Sequence, residues 1–343
     1  MSSERTTIKD IARECGVSLS TVSLVLNGNP RISDKTREKV QAAVRRHSYQ
    51  PNQQARGLAS KSSSIMSVVV PNLKNVFSDV YFGEILSGIH AEASEIDYKL
   101  LLDVATDRFA QNQEYINIIR SRRADGMLFI ASSINESYLR AVEEYNLPFI
   151  LVNHYYPTSR LNYIAIDYKG SAKTAADHLV GLGHKRIGVI AGVNTYTGLD
   201  FRDTFIAHCR QSGLIESDLP WENGGDQWNQ EGGFESARRL MEKHPKLTAI
   251  MAANDRMAMG AISYLHSRGL RVPHDVSVMG VDDIPSASFT SPSLTTIQHD
   301  LYEVGRRSFK RVLALFKGEI SSCHETLPVA LLERESTGPA RPS

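Results

Sequence analysis

From about Ser64 onward the chain repeats one pattern: a short run of apolar residues, an amphipathic stretch, then another apolar run. The runs IMSVVV, KLLLDV, GMLFIA, PFILVN, YIAI, RIGVIAG, TAIMAA and VSVMGV are apolar without alternation, as strands buried on both faces of a parallel sheet are. Between them, FGEILSGIHAEASEI, QEYINIIRSRR, AKTAADHLVGLGH, FESARRLMEKH and RMAMGAISYLHSRG carry apolar residues at helical spacing. Parallel neighbours must be joined by crossovers, so the alternation predicts doubly wound sheets with helices on both faces. The strands are too many for one compact sheet, and NHYYPTSRLNY breaks the series. Two similar α/β subdomains are therefore expected, with a ligand cleft where the carboxyl ends of their strands face each other.

The first sixty residues have another texture. Thr7, with Asp10 three residues on, reads as a capping box for a helix that buries Ile8, Ile11 and Ala12 and stops at Gly16. Ser18 caps a second helix that turns Val22, Val25 and Leu26 inward and ends at Asn27-Gly28. Ser33 caps a third, with Val40, Ala43, Val44 and His47 at helical spacing. YQPNQQARGLASKSSS then reads as a linker holding a short, weak helical stretch. Residues 1–61 carry eleven Lys and Arg against five Asp and Glu, leaving 28 of the 39 basic and 33 of the 38 acidic residues to the remainder. A basic head on a mildly acidic body points to a polyanion met by the head alone. The outer face of the second helix presents Leu19, Ser20, Thr21, Ser23 and Leu24. Small hydroxyls approach phosphates and base edges closely, and apolar tips suit the thymine methyl. Two short helices joined by the glycine-containing turn CGVS suit a helix-turn-helix; the alternative on the pattern alone is a bundle whose hydroxyls are merely solvated.

Catalysis finds no footing. No Gly-x-Ser-x-Gly elbow, phosphate-binding loop or His-Glu-x-x-His motif occurs, and the eleven histidines, among them His184, His274 and His299, form no spaced metal cluster. Neither an enzyme nor a bound cofactor or metal is expected. Cys15, Cys209 and Cys323 are few and far apart, which fits buried, reduced thiols in a cytosol. No apolar run is long enough for a bilayer, and MSSERTTIKD lacks the hydrophobic stretch of an export signal, so a cytoplasmic protein without a membrane partner is expected. Asn254-Asp255 follows the run TAIMAA, and Asp282-Asp283 follows VSVMGV. Polar groups there point into a cleft or cap the next helix.

TIKDIARECGVSLSTVSLVLNGNPRISDKTREKVQAAVRRHSYQPNQQARGLAS resembles the head of the lactose-repressor family of bacterial regulators. GHKRIGVIAG, AIMAANDRMAMGAISYLHSRGLRVPHDVSVMGVDD and SPSLTTIQHD resemble that family's periplasmic-binding-protein-like core. The resemblance implies a homodimeric repressor on near-palindromic, double-stranded operator DNA, its affinity set by a small, carbohydrate-like effector in the core cleft. By position, Thr7, Ser18, Thr21, Ser23, Asn27, Ser33 and Thr36 would hold phosphates, with Arg31 nearby, and Leu19, Ser20 and Leu24 would read bases in the major groove. Leu24 stands where many relatives have arginine; leucine makes no bidentate contact to guanine, so no operator sequence carries over. Leu58 matches a wedge that enters the minor groove and kinks the duplex, with helix packing the alternative. In the core, Asn153, Asn254 and Asp282 match polar residues that face the effector, and Trp228 an aromatic that stacks on it. Tyr81 and Phe82 match aromatics of the opposite wall, with core packing the alternative for Phe82. Phe201 and Arg202 complete the effector candidates: Phe201 stands where many relatives have an arginine that binds polar effector groups, so either Arg202 turns into the pocket or the pocket lacks that charge.

The expected organisation is a small all-α helix-turn-helix domain over 1–50, a hinge and linker over 51–63, and an effector-binding and dimerisation core over 64–343. The core's first subdomain takes about 64–162 and 301–327, its second about 163–300 and 328–343. STGPARPS ends the chain without apolar heptads, which predicts dimers and not coiled-coil tetramers. A solute-binding transport protein would share the core but not the basic head, and an α/β enzyme would need the missing catalytic groups.

Overall fold

A computed structural model describes residues 6–26, 29–47, 49, 62–74, 76–131, 133, 138–157 and 159–341; Asn27 and Leu58 lie outside the described residues. The chain divides between Ser63 and Ser64 into two compact units.

The head contains α1 (Ile8–Cys15), α2 (Leu19–Leu26) and α3 (Asp34–Arg46). Ile11, Val22 and Val40 are fully buried and, with Ala12, Cys15, Val25 and Ala43, bring the three helices onto one small core. Caps set the boundaries. The Thr7 N–H and hydroxyl both donate to the Asp10 carboxylate, at 2.9 and 2.7 Å, and Gly16 closes α1 at φ 60°. Ser18 Oγ accepts from the Thr21 N–H at 3.1 Å, and Ser33 Oγ from the Thr36 N–H at 3.4 Å. His47, at helical spacing with Val40, Ala43 and Val44, lies exposed where α3 ends and pairs with Glu14.

The core holds two six-stranded sheets. The first orders its strands β11-β5-β4-β3-β1-β2, all parallel: β1 (Ile65–Pro71), β2 (Lys99–Ala105), β3 (Gly126–Ile130), β4 (Phe149–Val152), β5 (Tyr163–Ile166) and β11 (His324–Leu327). α4 (Val80–Glu95) and α12 (Leu301–Lys317) pack on one face, with Val68 and Val70 beneath them. α5 (Asp107–Gln111), α6 (Glu114–Arg120) and α7 (Tyr138–Glu144) cover the other, where Val69 and Phe129 point. The second sheet orders β12-β10-β9-β8-β6-β7: β6 (Ile187–Ala191), β7 (Trp221–Asn223), β8 (Ala249–Ala252), β9 (Ser277–Asp282), β10 (Thr295–Gln298) and β12 (Ala330–Leu332), the last antiparallel. Here α8 (Tyr168–Gly181) packs with α9 (Tyr196–Gln211), and α10 (Gln230–Lys243) with α11 (Asp255–Ser267).

One boundary is corrected. The strand 163–166, assigned above to the second subdomain, pairs with β4 and β11 in the first sheet, in the registers Leu151↔Tyr163 and His324↔Tyr163. The chain therefore crosses between sheets after Ile166, and again between Gln298 and Leu301 and between Leu327 and Ala330. Three short crossings join the two halves and set their strands' carboxyl ends around one cleft.

Candidate functional site

On the head, α2 turns its two kinds of side chain as its spacing requires. Val22 and Val25 are buried, while Leu19 and Leu24 remain 44% and 39% exposed, an unusual outward pair for so small a core. Ser20 is exposed beside them, and Thr21 and Ser23 are half-buried. Ser18 Oγ lies 2.8 Å from Ser20 Oγ and 2.9 Å from Thr21 Oγ1, which gathers three hydroxyls at the amino end of α2. Ser33 Oγ and Thr36 Oγ1 lie 2.9 Å apart at the amino end of α3, where helix dipoles favour anions. Arg31 is exposed in the intervening turn. Arg37, which sequence reasoning missed, donates to the Asn29 and Ile32 carbonyls at 2.9 and 3.4 Å and so orders that turn.

In the core, the cleft is lined by residues at or just beyond the carboxyl ends of β1, β3, β4 and β5 on one side and β6, β7, β8 and β9 on the other. Asn153 Nδ2 donates to the Tyr81 and Tyr168 hydroxyls at 2.8 and 2.9 Å, and its Oδ1 accepts from the Ile166 N–H at 3.0 Å. Asn153 thus spends its amide on positioning two tyrosines, and their hydroxyls become the polar groups of that wall. Burial above all pushes the Tyr81 pKa up, so this phenol stays protonated. Phe82 answers to both of its readings: it is buried in the α4–α12 core and also lines the cleft, edge-on to Tyr81 at 5.1 Å.

Across the cleft, Trp228 Nε1 donates to Asn194 Oδ1 at 2.8 Å. Its ring rests on Gly192, where a Cβ would come within 2.2 Å of two indole carbons. Asn254 caps α11 through its Oδ1, which accepts from the Met257 N–H at 2.8 Å, while Nδ2 donates to the Trp228 carbonyl at 3.0 Å. Capping and cleft lining are one role here. Asp282 Oδ1 lies 3.1 Å from His299 Nδ1, and His299 Nε2 lies 2.9 Å from Ser171 Oγ. The Ser171 hydroxyl also donates to the Asp167 carbonyl at 3.0 Å, so its oxygen accepts from His299 Nε2–H and the remaining shared proton sits on Asp282. This agrees with the electrostatics: burial, then the Asp79 charge, raises the Asp282 pKa well above the usual carboxylate range, and burial lowers that of His299 to about 3.

The lining non-glycine residues Ala131, Asn153, Trp228 and Asp282 have φ of 49°, 54°, 49° and 113°. Such conformations cost of order 1–3 kcal/mol each and gather where function demands a particular side-chain direction. Across the cleft, Arg256 pairs with Asp79, the Lys74 N–H donates to Gln227 Oε1 at 3.2 Å, and the Ser133 hydroxyl donates to the Asn194 carbonyl at 3.2 Å. All three contacts join the two halves.

Residues 7–52 match the model of "Bacterial regulatory proteins, lacI family", and residues 176–337 match the "Periplasmic binding protein-like domain". The HTH-type transcriptional repressor CytR of Escherichia coli (strain K12) is 31% identical over 335 residues, covering 96% of each chain. This chain belongs to the lacI family of bacterial regulatory proteins. The regulator is also 30% identical over 341 residues to catabolite control protein A of Priestia megaterium, covering 96% of this chain and 99% of that one. Its fold matches the Lac repressor dimer bound to operator and the anti-inducer ONPF with a TM-score of 0.86 and 28% identity, covering 98% of this chain and 100% of that one. It is a DNA-binding transcriptional regulator with a helical head and two parallel-sheet subdomains.

Two expected effector residues are not in the cleft of the regulator. Phe201 is 1% exposed and stacks on Phe205 inside the second subdomain, with ring centroids 6.4 Å apart. Arg202, one residue further round α9, pairs with Asp203 at 2.7 Å and lies 4.4 Å over the Trp221 ring on the outer surface. Of the two alternatives, the pocket lacks that arginine. Sequence reasoning missed Asp79, His154, Tyr168 and Arg256, all of which line the cleft. Position just after a strand could have found His154 and Tyr168, since PFILV and YIAI each end two residues before them.

Proposed function

We propose that the regulator is a cytoplasmic repressor that binds near-palindromic operator DNA as a homodimer and acts by binding, without catalysis. The head over 1–50 reads the operator through Leu19, Ser20 and Leu24, with phosphates held from Thr7, Ser18, Thr21, Ser23, Asn27, Ser33 and Thr36 and Arg31 nearby. The hinge over 51–63 inserts Leu58, and a small, carbohydrate-like effector in the core cleft modulates affinity. One observation carries the effector reading: a flat indole, Trp228, faces tyrosine hydroxyls and Asp282 around one cleft. Sugar rings need both features, since their C–H faces stack on aromatics while their hydroxyls demand partners.

The test is a gel-shift titration against operator DNA selected from genomic fragments, with random duplex as control. Leu24→Ala should weaken operator binding about 5–150-fold, the value of about 1–3 kcal/mol that one misread base pair costs, and leave random DNA nearly unchanged. Removing residues 1–61 should abolish both. Equal losses on the two DNAs with Leu24→Ala, or retained operator binding by the truncated chain, would refute the assignment.

A further inference from the structure

His154 follows β4 and lines the cleft, yet it is 0% exposed. Neither of its ring nitrogens has a hydrogen-bond partner among the described residues. Buried polar groups are almost always paired, and one left unpaired in a cavity wall calls for a partner supplied from the cavity. Its orientation is fixed from behind: the Tyr156 ring stands edge-on to it at 5.0 Å, and the Tyr156 hydroxyl donates to the Ser133 carbonyl. Burial lowers the His154 pKa to about 3, so at neutral pH the ring offers one N–H and one lone pair. Two hydroxyls, one accepting from the N–H and one donating to the other nitrogen, match that pair.

The charges around the cleft restrict the ligand further. Among the described lining residues Arg256 is the permanent cation, and Asp79 holds it. Asp226 and Asp282 line the same space. With Asp282 protonated and Asp79 paired, a phosphate or carboxylate entering here would meet no free cation and the carboxylate of Asp226. We infer that His154 is a ligand-recognition residue, giving one hydrogen bond and accepting another, and that the ligand is an uncharged, polyhydroxylated molecule. This rests on the effector reading above.

The test titrates the full-length chain calorimetrically with D-glucose, D-ribose, cellobiose and lactose, and with glucose 6-phosphate and ribose 5-phosphate. The parent, His154→Phe and His154→Gln are compared. At least one uncharged sugar should bind the parent, with its phosphorylated counterpart, where tested, at least about ten-fold weaker. His154→Phe should weaken that binding at least about ten-fold, and His154→Gln, which still donates and accepts, should recover part of it. Without sugar, His154→Phe should melt no lower than the parent, because no hydrogen bond within the protein is lost. Unchanged sugar binding by a folded His154→Phe would overturn the role of His154, as would a lower ligand-free melting temperature. Tighter binding of a phosphorylated sugar would overturn the charge class. If the parent itself binds none of the uncharged sugars, the effector reading fails and this inference falls with it.

Discussion

Gly192→Ala should push Trp228 off the cleft wall while leaving the fold intact. The new Cβ would stand 2.2 Å from two indole carbons and 2.8 Å from a third, with no backbone atom among its nearest contacts. Ordinary carbon contacts begin near 3.5 Å, so the ring must retreat by about 1.3 Å. That movement stretches the Nε1 bond to Asn194 Oδ1, 2.8 Å long in the parent, to between about 3.1 and 4.1 Å according to whether the ring moves across or along it. The weakened bond costs up to about 0.5–1.5 kcal/mol and the strained repacking about 1–3 kcal/mol, enough to lower the melting temperature by several degrees without unfolding the chain. The readout is fluorescence. The chain has two tryptophans, and Trp221 sits 44% exposed on the outer surface, so Trp221→Phe leaves Trp228 as the single reporter. On that background Gly192→Ala should shift emission to longer wavelength and raise acrylamide quenching. Unchanged emission and quenching would refute the packing of Trp228 on Gly192, and with it the view that glycine there sets the stacking face.

Two further outcomes follow from packing and burial. Gly305→Ala should lower the thermal midpoint through at least about 1–3 kcal/mol of overpacking, because a Cβ there would stand 2.1 Å from the Ile85 carbonyl oxygen between α4 and α12; a neutral result in thermal melts would deny that close approach. Opposite pH trends are expected at His154 and Asp282. His154 titrates near 6.5 unfolded and about 3 folded, so stability is lost as pH falls through that window, and the melting gain of His154→Phe should grow from pH 7.5 to 5. The raised Asp282 pKa means ionisation opposes folding above about 3.8, so the gain of Asp282→Asn should grow as pH rises, in melts from pH 4.5 to 8.

The sheets were legible because their strands are buried on both faces and read as unbroken apolar runs. β7, β10, β11 and β12 escaped that reading: each has only three or four residues, the first three carry polar side chains, and the three apolar residues of β12 are too few to make a run. YIAI was visible as a strand, but its sheet was not, since either neighbour would bury it equally and only the pairing with β4 and β11 decides. Phe201 was misplaced despite a local signal that placed it correctly. Phe201, Phe205 and Cys209 recur every four residues and are all buried, so periodicity marks Phe201 as core and turns Arg202 about 100° away. The positional resemblance, which expects a cleft residue there, outweighed that pattern. The hydroxyl face of α2 was legible for the opposite reason: in an eight-residue helix with two valines buried, every other side chain has few places to go.

The contacts across the cleft constrain how an effector acts on DNA binding. Asp79–Arg256, Lys74–Gln227 and Ser133–Asn194 already join the two halves through the protein's own groups. Closure therefore does not require a ligand to supply the joining contacts. An effector shifts the balance only by binding the closed and open arrangements with different affinity, and moving a 1:99 population to 99:1 takes about 5.5 kcal/mol of that difference. A ligand that leaves the Asp79–Arg256 pair intact adds its own bonds to the closed arrangement and strengthens it. A ligand that displaces that pair removes a joining contact and favours opening. The sign of the response is thus set by whether the ligand keeps or breaks the pair. Asp79→Asn separates the cases, because asparagine can keep the α4 cap that Asp79 makes with the Tyr81 N–H at 3.1 Å while losing the charge that holds Arg256. Loss of that charge weakens a ligand that needs closure and spares one that has already displaced the pair.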